Sequence, residues 1–426
     1  MLVNGLAGSS ANWDTVLERL KELTDPRAVL PVPSEASAGR QTFQGLDTCG
    51  QRLAVEIERI VSQQASFKYL SCIGHSMGGL LARYAVGKLY STTDNTIAGL
   101  QPAHFVTMAT PHLGVAGQGE HKVPFIKWLD DMPIAGGPVG GLVGSLAGTY
   151  ANVFMGRTGR HLFLQDGTPE ADPLLVRMAE DHPEEGHFLS ALRSFASRTC
   201  YANASGDHLV GWAASSLRWP SQLPLISGPP GCGVVLQDPL DAGFHPHLRS
   251  SSSSPSTPQT GPPEALPAGA SVQYARGSSL RSQPGSPPAS LSTASPRSIP
   301  CTDGRSAATA SAASEVGQTW SSDVTGPSGS DWDAGRHNSA AMPDDPAGAQ
   351  LAMADSGHAA HIMRQLQQLP WRRIDAEFRG SRTPFFAHNH LQVTRRRMNV
   401  DGAAVAEHVA KQVAAMEALL PPTCSR

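Results

Sequence analysis

The clearest structural signal in the chain is Ser71–Tyr90, SCIGHSMGGLLARYAVGKLY. An apolar run typical of a buried strand precedes Ser76, and a run with helical spacing follows it. Residues 74–78 read Gly-His-Ser-Met-Gly, the Gly-x-Ser-x-Gly pattern of a tight strand-to-helix turn that exposes a nucleophilic serine at the top of a sheet. Five residues of this kind often occur by chance, and the serine could equally belong to an ordinary loop. The rest of the chain must decide between the two.

Composition limits the classes of function. The chain has 426 residues, 40% of them hydrophobic, and a net charge of −3, so there is no electrostatic case for a nucleic-acid partner. The six cysteines include no Cys-x-x-Cys pair, which argues against a zinc site or a disulfide framework and favours a reducing compartment. No metal or organic cofactor is expected.

The chain divides into three parts by composition. Residues 228–348 are rich in Ser, Pro, Gly and Ala and lack hydrophobic periodicity, which predicts a disordered insert. This insert is either a tolerated surface loop or a regulatory, partner-binding segment. The flanking parts, 1–227 and 349–426, have globular composition and together form the predicted core.

Strand-like and helix-like runs alternate in the globular parts, which predicts a mostly parallel sheet flanked by helices. The predicted strands are Met1–Val3, Ala28–Val32, Tyr69–Ile73, His104–Ala109, Thr199–Ala202 and Pro384–Ala387. The predicted helices are Trp13–Leu23, a helix with Leu53, Ile57, Ile60 and Val61 on one face, Leu80–Leu89 and Val405–Leu420.

A serine nucleophile needs a base, a carboxylate that orients the base, and donors for the oxyanion. Asp207 follows the Thr199–Ala202 run through a Ser-Gly turn, at the sheet edge where such a carboxylate belongs. His388 and His390, in TPFFAHNHLQV, are both candidates for the base. The order Ser, Asp, His along the chain is the usual order for this constellation.

The oxyanion donors are predicted to be two backbone N–H groups. One is that of Met77, the residue after the serine, and the other comes from the loop after the first strand, where Leu6 is our choice. The alternative for the second loop is a plain glycine turn.

Eight stretches of the chain resemble the putative serine esterase family, a lipase-like branch of the α/β-hydrolases common in plants and algae. They are LVNGLAGSSANW, GHSMGGLLARYAVGKLY, MATPHLGV, GRTGRHLFLQDG, PLLVRMAED, FLSALRSFASRTCYANASGDHLVGWAASSLR, FFAHNHLQV and DGAAVAEHV. The resemblance implies an α/β-hydrolase fold and assigns the nucleophile to Ser76 and the acid to Asp207. It favours His388 over His390, because the first histidine of this stretch is the one that recurs. One position departs: Asn4 stands where members usually have histidine.

The resemblance also implies how the fold is bounded. Because the chain starts on the first family motif, the first strands of the fold are expected to be missing, which leaves an exposed sheet edge. A cytoplasmic or peripherally membrane-associated protein is the default expectation, with a plastid location if the N-terminus is truncated. The oligomeric state is not predicted.

A lid-like region is expected at about residues 116–185. Within it, residues 133–156 carry no charge, which permits three interpretations: a lipid-facing cap, a surface subdomain, or a membrane-spanning helix. The expected partners are accordingly a lipid or other acyl-ester substrate, with peripheral membrane contact through this region.

The function that the resemblance implies is hydrolysis of carboxylic esters through an acyl-enzyme, with lipid esters as the expected substrates. Two alternatives stay open. An acyltransferase would use the same three residues, and a catalytically inactive relative would act through the insert.

Overall fold

A six-stranded sheet forms the centre of the protein in this computed structural model, which describes residues 1–115, 155–245 and 357–420. The described residues belong to one compact unit, Met1–Ser256 with Pro343–Arg426. The strands are β1 (Leu2–Val3), β2 (Tyr69–His75), β3 (Gln101–Met108), β4 (Ser197–Asn203), β5 (Gly233–Gln237) and β6 (Arg372–Glu377). Their order across the sheet is β1-β2-β3-β4-β6-β5. All neighbouring pairs are parallel except β6–β5, which is antiparallel.

Two hydrophobic layers cover the two faces of this sheet. Side chains alternate along each strand, so Cys72 and Phe105 pack into one layer, while Ile73 and Val106 pack into the other. The long helices are α1 (Asp14–Leu23), α2 (Leu46–Gln63), α3 (Met77–Leu89), α4 (Gly357–Gln367) and α5 (Ala403–Glu417). α2, α3 and α4 contribute to the first layer, and α1 and α5 to the second. The predicted α/β class, a mostly parallel sheet flanked by helices, is confirmed.

Shorter elements connect these parts. The short α-helices are Leu174–Arg177, Phe188–Ser194, Trp212–Ser216 and Ala387–His390, and residues 155–162 are also helical. Two hairpins pair Tyr90–Ser91 with Thr96–Ile97 and Asp181–His182 with Gly186–His187. Single 3₁₀ turns cover Ser10–Trp13, Gly39–Phe43, Pro220–Gln222, Leu240–Gly243, Pro384–Phe386 and Val400–Gly402.

Two predicted strands are wrong. Residues 28–32 form a turn and an irregular segment. A single bridge joins Pro33 to Leu2 of β1, in which the Leu2 N–H donates to the Val32 carbonyl and the Ser34 N–H donates to the Leu2 carbonyl. Pro31 and Pro33 lack the N–H groups that a longer ladder would require. Residues 384–387 are a 3₁₀ turn leading into a helix, because Pro384 suits the first helical position.

Two strands, β5 and β6, were not predicted. β5, with the sequence GVVLQ, is apolar but lies within the segment assigned to the insert. β6 does not read as an apolar run. β6 has the sequence RRIDAE and is nevertheless buried. Its Asp375 carboxylate accepts from Arg218 Nη1, which lies 2.7 Å from Oδ1 and 2.9 Å from Oδ2, and from the indole N–H of Trp212 at 2.7 Å. Paired in this way, the charge can lie inside the sheet.

The expected start of the insert at residue 228 is contradicted, since β5 (Gly233–Gln237) lies in the sheet. The rest of the predicted insert, 246–348, lies outside the described residues, as do residues 116–154 of the predicted lid-like region. Across the described ranges, the model contains no helix with the length and apolarity that crossing a bilayer requires.

Candidate active site

Ser76 occupies the single residue between β2 and α3. Its backbone has φ +55° and ψ −130°, a conformation that costs energy for any residue with a side chain. The surrounding backbone holds it there: Ser76 N–H donates to the Met108 carbonyl at 2.7 Å, and the Thr110 hydroxyl donates to the Ser76 carbonyl at 2.9 Å. The serine is therefore fixed between the end of a central strand and the start of a helix.

The glycines around Ser76 are required by close backbone packing. A Cβ at Gly74 would lie 2.4 Å from the backbone nitrogen of Gly79, and one at Gly78 would lie 2.1 Å from the Val3 carbonyl oxygen. No side chain fits at either place. The two glycines of the Gly-x-Ser-x-Gly pattern are thus explained by two contacts: Gly74 packs on the first turn of α3, and Gly78 packs on β1.

Asp207 and His388 form a hydrogen bond, although 181 positions separate them in the sequence. The His388 Nδ1 atom lies 3.0 Å from Asp207 Oδ2, and both side chains are buried. Asp207 Oδ2 also accepts from the Asn203 side-chain amide at 2.9 Å, and Oδ1 accepts from the N–H groups of Leu209 and Val210, both at 2.9 Å.

These contacts decide the charge of the carboxyl group. Burial on its own raises the pKa of Asp207, but the charge of His388 and the hydrogen bonds from His388, Asn203 and Val210 together outweigh it and hold the pKa below its ordinary value. Asp207 is therefore an anion at neutral pH, aimed at one nitrogen of His388.

A second histidine supports His388 from behind. The His75 Nε2 atom lies 2.9 Å from the His388 carbonyl oxygen, and the two ring centroids are 4.9 Å apart. Burial, helped by the charge of His388, lowers the pKa of His75 to about 3, so its ring is neutral at physiological pH. Because a carbonyl can only accept, His75 Nε2 carries the hydrogen of this contact.

His390 lies in a different environment from His388. Its Nε2 atom is 3.0 Å from the Thr383 carbonyl oxygen, and 3.1 and 3.2 Å from the hydroxyls of Ser381 and Thr383. Its ring is fully buried and stacks on Phe378 with centroids 4.9 Å apart. The structure brings Asp207 to His388 and leaves His390 occupied in the protein interior.

One cavity, of about 260 Å³, contains Ser76, His388 and both predicted oxyanion residues, Leu6 and Met77, in its wall. Asp207 lies behind His388 and does not line it. Much of the wall is apolar: Pro111, Val115, Met155, Leu162, Phe163, Leu209 and Val210. Polar side chains line the rest: Asn12, Asn389, Gln392, Thr394 and Arg395.

The loop that carries Leu6 is held by side chains on both sides. The buried Asn4 amide donates to the carbonyls of Ser37 and Gly5, each at 3.3 Å, and the Ala7 N–H donates to the Thr42 hydroxyl at 2.8 Å. A Cβ at Gly5 would lie 2.8 Å from Ser76 Cβ, so the loop passes directly over the serine. The N–H groups of Leu6 and Met77 make no hydrogen bond within the described part of the chain. Asn4 thus anchors this loop at the place where histidine was expected.

Sequence reasoning missed two contributors to the site. Asn203 ends β4 and donates to Asp207, and a polar residue at the end of a buried parallel strand is the signal that could have drawn attention to it. The second is His75, which lies in the Gly-x-Ser-x-Gly stretch itself and contacts His388. No cluster of three or more His, Cys, Asp or Glu side chains that could hold a metal occurs in residues 1–115, 155–245 and 357–420.

The chain is similar to yeast proteins named as lipases. It is 30% identical to "Putative lipase C4A8.10" of Schizosaccharomyces pombe, over 49% of this chain and 24% of that protein. It is 26% identical to "Putative lipase YDL109C" of Saccharomyces cerevisiae, over 56% and 32% of the two chains. For "Putative lipase ROG1" of the same yeast the identity is 28%, over 42% and 22%. The matched region is thus a third or less of the length of these relatives.

Among solved structures, the chain matches "The crystal structure of the gene lin2722 products from Listeria innocua". The identity is 18%, the match covers 29% of this chain and 55% of that one, and the TM-score is 0.21, which is too low to bear on the fold. The family comparison is more extensive. The family model described as "Putative serine esterase (DUF676)" matches residues 1–217, which is half of this chain. The chain therefore belongs to this family.

Proposed function

We propose that the protein hydrolyses carboxylic esters, with Ser76 as nucleophile, His388 as general base and Asp207 as the residue that orients His388. The observation that carries this proposal is the 3.0 Å hydrogen bond between His388 Nδ1 and Asp207 Oδ2, beside a cavity whose wall contains both His388 and Ser76. Membership of a family of serine esterases supports the same reaction class.

The hydrogen bond to Asp207 selects the form of His388 that can act as a base. The carboxylate accepts the Nδ1 hydrogen, so the Nε2 lone pair is available on the other side of the ring. In the proposed first step Nε2 takes the Ser76 hydroxyl proton while Oγ attacks the ester carbonyl carbon. Asp207 stabilises the resulting imidazolium, and this proton then goes to the leaving alcohol.

The second half of the reaction repeats these roles with water. His388 takes a proton from a water molecule as the water oxygen attacks the Ser76 ester carbonyl, and the proton returns to Ser76 Oγ as the acid leaves. In both halves the negative oxygen is proposed to accept from the backbone N–H groups of Leu6 and Met77. Both residues line the cavity, and Met77 begins α3, where N–H groups have no partner within the helix.

The lining of the cavity favours an ester with an apolar acyl group. Met155, Leu162 and Phe163 form part of its wall and would remove hydrocarbon from water, at about 0.8 kcal/mol for each buried CH₂ group. The names of the yeast relatives point to the same substrate class. We therefore propose acyl esters of lipids as the natural substrates.

The test combines a fluorophosphonate probe with p-nitrophenyl esters of increasing acyl length. Wild type is expected to be labelled and to hydrolyse the esters, with kcat/KM rising with acyl length until the cavity is filled. Ser76→Ala is expected to do neither, while Ser62→Ala, at an exposed position on α2, behaves as wild type. Unlabelled wild type, or equal labelling of Ser76→Ala, would refute the proposal.

A further inference from the structure

Apolar side chains are exposed together near His388. The large hydrophobic residues of the described chain that are markedly exposed number nine, and four of them lie between positions 385 and 400. They are Phe385 (70%), Phe386 (39%), Met398 (42%) and Val400 (59%), which we call the apolar patch. Single exposed hydrophobic residues are ordinary on a protein surface, but a cluster of four requires an explanation.

Hydrogen bonds join the two loops that carry this patch. The Thr383 hydroxyl donates to the Met398 carbonyl at 3.3 Å, and the Ser381 hydroxyl donates to the Asp401 carboxylate at 2.6 Å. The two loops that carry the apolar patch therefore lie side by side at residues 381–383 and 398–401.

Four arginines lie in the same two loops as the apolar patch. Arg382, Arg395, Arg396 and Arg397 are all exposed. Arg396 pairs with Glu18, whereas no carboxylate of the described residues lies within 4.0 Å of the guanidinium of the other three. Asp401 accepts the backbone N–H of Arg382 at 3.3 Å, and the Ser381 hydrogen bond, helped by the charge of Arg382, lowers the pKa of Asp401. The surface thus combines exposed hydrocarbon with three unpaired positive charges.

The same surface borders the opening of the active-site cavity. Thr394 and Arg395 line this cavity, and the Arg395 guanidinium approaches the Met398 sulfur of the apolar patch at 3.9 Å. On the other side, the ring of His208, the residue after Asp207, stacks on Phe385 with centroids 4.7 Å apart.

We propose that the apolar patch and its arginines dock the protein onto membranes that contain anionic lipids. On a docked protein, exposed aromatic and aliphatic side chains enter the boundary between the lipid headgroups and the acyl chains. Arginines bind the phosphates and carboxylates of the headgroups. The rings of Phe385 and Phe386 offer stacking surfaces for bases, but Met398 and Val400 offer neither a flat ring nor a hydrogen bond, so a nucleic acid is a poorer match than a membrane. Docked in this way, the protein presents the cavity opening to the membrane surface. The proposal concerns a surface, so it holds whether or not Ser76 is the nucleophile.

The test is co-sedimentation of the full chain with vesicles, with Ser76→Ala in every variant so that no lipid is consumed. One set of vesicles is phosphatidylcholine alone, and the other contains about one third phosphatidylserine. The variants are Arg382→Ser with Arg397→Ser, and Phe385→Ser with Val400→Ser, none of which lines the cavity.

Matched controls remove the same chemistry elsewhere on the surface. Arg27→Ser with Arg59→Ser removes two exposed arginines, and Leu30→Ser with Val55→Ser removes two side chains that are each 55% exposed. Arg27 and Leu30 line a cavity with residues 68–70 at the start of β2, at the opposite end of that strand from Ser76.

Binding to the anionic vesicles is expected to exceed binding to phosphatidylcholine and to fall with added salt. Each arginine near an anionic membrane contributes about 1 kcal/mol of binding free energy. The double arginine variant should therefore bind anionic vesicles about 30-fold more weakly. The double apolar variant should lose about tenfold or more. Both controls should bind as the parent protein does.

Three results would overturn the proposal. They are absence of vesicle binding by the parent protein, equal loss in the patch variants and the controls, and binding to single-stranded RNA that is tighter than vesicle binding and is lost in the patch variants. A separate assay distinguishes failure of membrane docking from failure of the proposed reaction. It measures hydrolysis of a water-soluble p-nitrophenyl ester by patch variants that retain Ser76. Those variants should hydrolyse it at the wild-type rate.

Discussion

Replacing Asp207 by asparagine tests the proposed roles with almost no change of shape. Oδ1 of the carboxylate accepts from the N–H groups of Leu209 and Val210, and Oδ2 accepts from Asn203 and faces His388 Nδ1. An asparagine can keep its oxygen at only one of these two places. Two backbone donors hold it at the Oδ1 side, because turning the amide over would lose both hydrogen bonds, about 1 kcal/mol each.

The amide NH₂ group then stands where Oδ2 was, facing His388. A donor at that place requires His388 Nδ1 to accept, which moves the ring hydrogen to Nε2 and removes the lone pair that would take the Ser76 proton. The same substitution in Ser-His-Asp proteases lowers kcat about 10⁴-fold for this reason. We expect a loss of that size, about 5.5 kcal/mol of transition-state stabilisation.

The assay is kcat for a p-nitrophenyl ester, together with the melting temperature of each variant. Asp207→Asn should stay folded, because the backbone hydrogen bonds persist, and its Ser76 should react with a fluorophosphonate far more slowly than in wild type. Asp94→Asn, an exposed aspartate, serves as the matched control. If Asp207→Asn keeps more than about a tenth of the wild-type kcat, the reasoning about the tautomer of His388 is refuted.

Three further predictions concern the histidines and the turn. His388→Ala should abolish ester turnover in a folded protein, whereas His390→Ala should lower the free energy of unfolding by about 3 kcal/mol and leave kcat of the folded fraction largely unchanged, since its buried ring only packs and hydrogen bonds. Gly78→Ala should cost about 3 kcal/mol or more, because its Cβ would lie 2.1 Å from a carbonyl oxygen, while Gly357→Ala meets nothing within 4 Å and should be tolerated. Burial lowers the pKa of His104 to about 4 from 6.5, so its contribution to stability is complete above pH 6.5 and is lost as the pH falls towards 4. At about pH 5 this loss is about 2 kcal/mol, and His104→Gln should reduce the acid sensitivity of the melting temperature.

Each of these predictions has a contrary outcome. Equal loss of kcat in the two histidine variants would remove the distinction between them. A melting temperature of Gly78→Ala equal to that of Gly357→Ala would mean that the close packing of β1 on α3 is not as described. An identical change of melting temperature between about pH 7 and pH 5 in His104→Gln and wild type would show that this histidine does not carry the proton linkage.

The sequence predicted the centre of the fold well because its strands are buried on both faces. A parallel strand covered by helices on both sides is apolar along most of its length, and β2 and β3 were therefore recognisable from composition. In β4 only the shorter run of residues 200–202 is apolar, and it marked that strand. The strand-turn-helix around Ser76 could be located for the same reason. The pattern failed at β6, where RRIDAE is buried only because Asp375 meets Arg218 and Trp212, and these partners are far away in the chain.

The order Ser76, Asp207, His388 or His390 was readable from the sequence. Only the family resemblance favoured His388, since the residues themselves left open both histidines. They are two positions apart on one short helix, and their surroundings differ completely. One ring nitrogen of His388 meets Asp207, while His390 meets Thr383 and stacks on Phe378.

The class of fold and the position of the candidate nucleophile could thus be predicted from sequence, since burial on both strand faces and the glycine spacing of a tight turn are local properties. The folded chain was needed to show which histidine faces Asp207, that Asn203 and His75 support the pair, and that the loops carrying Phe385 and Val400 lie side by side. Those facts depend on contacts between segments that are distant in the sequence, and no local pattern records such contacts.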